Sequence, residues 1–114
     1  MDEIRRIETP QDVGEQLLAS SDRDVWFFKH SLTCGVSSAA RREFERFVGG
    51  TSGGNAPRFC LLEIQPAREA SRTLAERLAV RHESPQAILV REGQAIWHAS
   101  HWSITSEALS TAGS

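Results

Sequence analysis

Cys34-Gly35-Val36-Ser37 has the spacing of a two-cysteine redox motif whose second thiol is replaced by a hydroxyl. A cysteine attacks disulfides as its thiolate, whereas a serine hydroxyl performs no thiol–disulfide exchange. Cys34 is therefore predicted to act alone: it attacks a disulfide, holds one half as a mixed disulfide, and waits for a separate thiol to release it. An ordinary thiol is mostly protonated at neutral pH, so the position must favour the anion. The run Trp26-Phe27-Phe28-Lys29-His30-Ser31-Leu32-Thr33-Cys34 leads an apolar stretch into what reads as the first turn of a helix, where unpaired N–H donors and the positive end of the helix dipole have that effect. Thr33 is the expected cap of this helix. Lys29 and His30 lie close enough in sequence to add positive potential if their side chains turn that way. Partial exposure of Cys34 follows from its place between strand and helix.

The other reactive residue types carry less. Cys60 sits within Phe59-Cys60-Leu61-Leu62, an apolar run that buries it without a charge partner and leaves it inert. His98 and His101 are three residues apart, which in a strand puts them on opposite faces, so no metal site is expected. A cysteine hydrolase is disfavoured because no acid that would orient a histidine base is evident. Pro85 cannot donate to a sheet ladder and marks the start or edge of a strand, with a cis bond from Ser84 as an option.

The elements that must position these groups are readable in order. Ile4 to Ile7 fits a short edge strand, and Thr9-Pro10-Gln11-Asp12 is a helix-start signal for a helix whose apolar face is Val13, Leu17 and Leu18. Asp24 to Lys29 suits a strand buried on both faces. Val36, Ala40, Phe44, Phe47 and Val48 recur at helical spacing up to Gly49. Arg58 to Ile64 is a second buried strand, and Ala67, Ala70, Leu74 and Leu78 mark another amphipathic helix. Ala87 to Val90 and Ala95 to Ala99 form an antiparallel hairpin turned at Gly93. Thr105 caps a last helix, with Ile104 placed to meet Leu109. The β-α-β-α order implies parallel strands, which brings the start of the Cys34 helix to the carboxyl end of the sheet, where ligands gather.

A chain of 114 residues suits one domain, 1–114, with a flexible glycine-rich loop at about 49–57 and a frayed tail at about 110–114. A net charge of −2 with 25% charged residues gives no electrostatic case for nucleic acid or membrane partners. The first residues lack the pattern of a signal peptide, so a cytoplasmic location is expected, and with it reduced thiols. A βαβ half followed by α-β-β-α around one sheet is the thioredoxin-like three-layer α/β/α architecture, with a mixed sheet of four to five strands. In that architecture the Ser84-Pro85 loop faces the cysteine and offers backbone hydrogen bonds to a bound thiol or peptide.

The blocks Phe28-Lys29-His30-Ser31-Leu32-Thr33-Cys34-Gly35-Val36-Ser37, His82-Glu83-Ser84-Pro85-Gln86 and Ala95-Ile96-Trp97-His98-Ala99-Ser100-His101-Trp102-Ser103-Ile104-Thr105, in this order and spacing, resemble the monothiol bacilliredoxin family over roughly Asp24 to Leu109. The resemblance implies a thioredoxin-like disulfide reductase that removes bacillithiol from protein mixed disulfides. It places the active thiol at Cys34, its loop at Thr33, Gly35, Val36 and Ser37, and the facing pair at Ser84 and Pro85. Ser37 is then expected to hydrogen-bond the Cys34 sulfur. No bound cofactor or metal is implied. Bacillithiol serves as cosubstrate, bacillithiolated proteins are the partners, and a monomer is expected. Gly35 departs from the proline usual in the family and loosens the first helical turn. The competing reading is a non-catalytic peptide-binding module on the same fold, whose Cys34 is only a target for thiolation.

Overall fold

The computed structural model describes residues 4–51, 54 and 56–114. The strands are β1 (Ile4–Arg6), β2 (Val25–His30), β3 (Arg58–Glu63), β4 (Gln86–Arg91) and β5 (Gln94–Ser100). The helices are α1 (Pro10–Ala19), α2 (Gly35–Gly49), α3 (Arg68–Leu78) and α4 (Ser106–Ala112), with a short 3-10 turn at His101–Ser103. The strand order is β1-β3-β2-β4-β5. β1, β3 and β2 run parallel, while β4 is antiparallel to β2 and β5 to β4. The expected mixed sheet therefore has five strands, and β2, flanked on both sides, is buried along its whole length.

Alternation along β2 divides the core into two layers. Val25 and Phe27 point to the layer filled by Val13 and Leu17 of α1 and by Ala70, Leu74 and Leu78 of α3. Trp26 and Phe28 point to the layer of Ala40, Phe44 and Val48 of α2 and Leu109 of α4. Phe44 stacks on Phe28 at 5.1 Å between ring centroids and meets Phe59 edge-on at 6.2 Å, which seats α2 on the sheet. The two faces of the sheet thus each carry a pair of helices, giving the three layers expected.

Local signals explain the ends of the elements. Thr9 and Asp12 form a reciprocal capping box at the start of α1, and Thr105 accepts from the Ala108 N–H at the start of α4. Glu92 and Gly93 both take positive φ, 51° and 75°, which closes the two-residue turn between β4 and β5. Arg91 grips Asp24 with two hydrogen bonds, of 2.9 and 2.8 Å, tying the hairpin to the start of β2 and holding the Asp24 carboxyl below its ordinary pKa.

Two expectations need correction, and one lies partly out of view. Leu18 is 78% exposed; the face of α1 turns inward through Val13, Gln16 and Leu17, because Leu18 lies about 100° around the helix from Leu17. The tail expected to fray from about residue 110 is helical as far as Ala112, which packs against the core layer anchored by Leu109. Of the glycine-rich loop at 49–57, Gly49 ends α2 and residues 52, 53 and 55 lie outside the described residues.

Phe44→Ala is expected to lower unfolding stability by about 3–5 kcal/mol, because it empties the contact between α2 and β2. Leu18→Ser is expected to change it by about 0.5 kcal/mol or less. Denaturant titration of both variants measures the contrast.

Candidate functional site

The carboxyl ends of β2 and β3 define the site. β2 ends at His30, and the three residues Ser31, Leu32 and Thr33 carry the chain to Cys34, which is the N-cap residue of α2. Its backbone is extended, with φ −116° and ψ 124°, and no side chain caps the helix. The first N–H groups of an α-helix lack intrahelical acceptors, and an N-cap side chain is the group placed to reach them. Cys34 holds the N-cap position, half-buried; its sulfur makes no capping hydrogen bond, and the first turn of α2 contains no acidic residue to compete for those donors.

Thr33 is not the cap. It is exposed, and its hydroxyl faces Ser31 Oγ at 3.5 Å and Gln65 Nε2 at 3.4 Å. Gln65 is a residue that sequence reasoning missed. Its side chain accepts from the Leu32 N–H at 3.1 Å and donates to Ser31 Oγ at 3.1 Å, so the turn after β3 braces the whole approach to Cys34. A lone glutamine in a connecting turn carries no periodic signal that would single it out.

Ser37 is also placed differently from expectation. It is fully buried, its Oγ accepts from the Ser31 N–H at 2.9 Å, and it lies 2.9 Å from His30 Nδ1. Its hydroxyl turns to the end of β2 instead of to the sulfur, because position 37 lies on the core-facing side of the helix with Ala40 and Phe44. Gly35 begins α2 in open space, where an added Cβ would meet nothing within 4 Å, and Val36 is half-buried.

Strand parity sends the two basic side chains of β2 apart. His30 shares the face of Phe28 and turns to Ser37 in the α2 layer; burial, helped by Arg41, lowers its pKa and favours the neutral ring. Lys29 shares the face of Phe27 and is fully buried toward α3, with Nζ 3.0 Å from His82 Nδ1. Burial lowers its pKa to about 8, opposed by Glu83, and burial together with Lys29 lowers that of His82. Neither His30 nor Lys29 is directed at Cys34.

The Ser84–Pro85 bond is cis. Register pairs Lys29 with Gln86, so Pro85 falls beside His30, at the edge from which the Cys34 loop departs. The Pro85 carbonyl accepts from His101 N–H at 3.1 Å, which brings the 101–103 turn and the 72%-exposed Trp102 to the same edge. Ser84 Oγ is buried without a hydrogen-bond partner, and among the described residues the Ser84 backbone makes no backbone hydrogen bond. Cys60, by contrast, lies in mid-strand opposite Phe27, where burial pushes its thiol up to about 12. The histidines are dispersed, and among the described residues no group of three or more His, Cys, Asp or Glu could hold a metal ion. No helix among them is long and apolar enough to cross a membrane.

Lys29 gives this geometry a pH signature. Its folded pKa lies below the unfolded 10.5, so the folded state is penalised while the amine is charged in both states, below about pH 8, and relieved as pH rises from there toward 10.5. Relative to Lys29→Met, the wild type is expected to gain on the order of 2 kcal/mol between pH 7.5 and 10. Urea unfolding at the two pH values measures the gain, and the comparison with the variant removes the opposite slope contributed by Cys60. Ser37→Ala, which leaves the Ser31 N–H and His30 without a partner, is expected to cost about 1–3 kcal/mol in the same measurement.

A family model described as monothiol bacilliredoxin BrxC matches residues 5–109. Among solved structures, a protein described as a candidate oxidoreductase with a thioredoxin fold superposes with a TM-score of 0.83 at 25% identity, covering 97% of this chain and 94% of that one. Thioredoxin from Malassezia sympodialis gives 0.76 at 15% identity over 98% and 89% of the two chains. Thioredoxin from Fasciola hepatica gives 0.72 at 15% over 95% and 94%. These likenesses establish the thioredoxin fold.

Proposed function

Because this chain belongs to the monothiol bacilliredoxin family, we propose that it is a thiol–disulfide oxidoreductase that removes bacillithiol from protein mixed disulfides through Cys34. The observation that carries the reading is the Cys34 sulfur at the uncapped start of α2, with the other thiol buried in mid-strand. The Cys34 thiolate attacks the bacillithiol sulfur of the mixed disulfide; the S–S bond to the client breaks, and the client sulfur leaves with the electron pair. Cys34 then holds bacillithiol as a mixed disulfide. A second bacillithiol thiolate attacks the captured bacillithiol sulfur, forming bacillithiol disulfide and returning Cys34 as a thiolate. Each step exchanges one S–S bond for another, so bacillithiol is the reductant and no bound cofactor is needed.

The N–H groups at Gly35, Val36 and Ser37 stabilise the attacking and departing anion. Ser84, whose backbone makes no backbone hydrogen bond among the described residues, positions the incoming disulfide beside Pro85. Thr33 and Val36 border the sulfur, while Ser37 acts on the loop through Ser31 and His30. Proteins carrying bacillithiol are the clients, and a reducing cytoplasm is the compartment in which the cycle runs. Exposed Leu32 and Trp102 on either side of this edge favour a second reading, a peptide-binding module whose Cys34 is only thiolated.

The two readings separate in one assay. Incubated with a bacillithiolated protein and bacillithiol, wild type and Cys60→Ala are expected to release the client thiol at similar rates, and Cys34→Ala to release none above background. Equal release by Cys34→Ala would sink the reductase; tight client binding without release by the wild type would favour the module.

A further inference from the structure

A cavity of about 320 Å³ lies on the α3 side of the carboxyl edge, lined by Arg68, Ser71, Arg72, Glu76 and His82 against an apolar wall at Ile64. Its place ties it to the thiol. Ile64 N–H donates to the His30 carbonyl at 2.9 Å, and the next residue, Gln65, is the brace of the Leu32 loop. One wall of the cavity is thus hydrogen-bonded to the end of β2, the strand that leads to Cys34, on the side away from α2.

Its charge is mainly positive, with Glu76 the one acid in the lining. Arg68 and Arg72, one helical turn apart and both exposed, make no ion pair among the described residues. Behind His82 stands Lys29, the only lysine of the chain, fully buried and bonded through Nζ to His82 Nδ1. An ammonium has only protons to give, so His82 Nδ1 accepts here, and Ser71 Oγ, 3.4 Å from the same nitrogen, shares that corner. The acids nearby are Glu76 in the wall and Glu83 beside Lys29, and neither comes within ion-pair distance of Lys29, Arg68 or Arg72. Burying an ammonium without a counter-ion is costly, and the chain could have met the packing need with an apolar side chain. A buried ammonium behind two guanidinium groups that make no ion pair among the described residues gives this corner an excess of positive charge.

We propose that this cavity is a subsite for the carboxylates of the low-molecular-weight thiol exchanged at Cys34. The inference rests on the function proposed above and names how the small thiol is chosen. Arginine forks pair with carboxylates through parallel hydrogen bonds, and the volume is at the low end of the roughly 300–1,000 Å³ of small-molecule pockets, which suits part of a small thiol and not a folded client. A thiol anchored there presents its sulfur toward the loop that holds Cys34, whereas a neutral thiol reaches the same sulfur without an anchor.

Two measurements test it. In Cys34→Ala protein, where thiol exchange cannot intervene, succinate is expected to shift the His82 ring and Lys29 amine resonances saturably, and Arg68→Ala/Arg72→Ala to abolish the effect. Both arginines are exposed, so the double variant keeps the fold. With Cys34 intact and loaded as a mixed disulfide, the ratio of its release rate by mercaptosuccinate to that by 2-mercaptoethanol is expected to fall about tenfold in the double variant. An unchanged ratio, an absence of saturable succinate shifts, or shifts with inorganic phosphate but not succinate would each overturn the subsite. Failure of both thiols to release Cys34 would defeat the exchange function itself, while the succinate titration would still decide whether the cavity takes carboxylates.

Discussion

The hydrogen bonds that Ser37 makes back to the Ser31 N–H and to His30 hold the turn on which the site depends. They bind the first turn of α2 to the end of β2 and so fix where the Cys34 sulfur leaves the sheet. From the other side Gln65 grips the same loop at Leu32 and Ser31. The loop is thus clamped between two elements, which limits how far the sulfur can wander from the helix N–H groups. Position 37, where a dithiol protein keeps its second cysteine, serves here as a structural peg. One residue thus both removes the resolving thiol and supplies half of the clamp on the loop.

The chain contrasts its two thiols by environment alone. Cys60 lies between β1 and β2 in the apolar α1/α3 layer, where desolvation disfavours its anion. Cys34 lies at the edge, half-buried, beside open donors. The same strand parity that separates the layers separates the two basic side chains: His30 enters the α2 layer as part of the clamp, and Lys29 enters the α3 layer beside His82. Lys29 therefore lies on the α3 side of the sheet, with its amine on His82.

Much of this was readable from residue order. The unbroken apolar run Val25 to Phe28 announced a central strand, the Thr9–Asp12 pair a helix start, and Gly93 a hairpin, because each signal is local and each local choice agrees with the global fold. Cys34 at a strand-to-helix junction and the Ser84–Pro85 edge were visible for the same reason. What escaped was set by parity and by contacts distant in sequence. Nothing near Lys29 announces His82, 53 residues away, and Gln65 looks like any polar turn residue. Ser37 stands at the spacing of a second redox cysteine yet bonds Ser31 and His30, since spacing along a helix gives the face of a residue and not which neighbour its hydroxyl meets. Leu18 and Thr33 show the same limit: each has the residue type for its expected place, one position away from Leu17 and Cys34, which the geometry uses.

Intact-mass spectrometry of the reduced protein treated with a small-thiol disulfide tests the central claim most directly. A one-cysteine cycle at an accessible Cys34 predicts a single adduct, mapped to Cys34, that persists until free thiol is added and then disappears completely. An unmodified Cys34, or loss of the adduct through a disulfide between Cys34 and Cys60, would contradict the account.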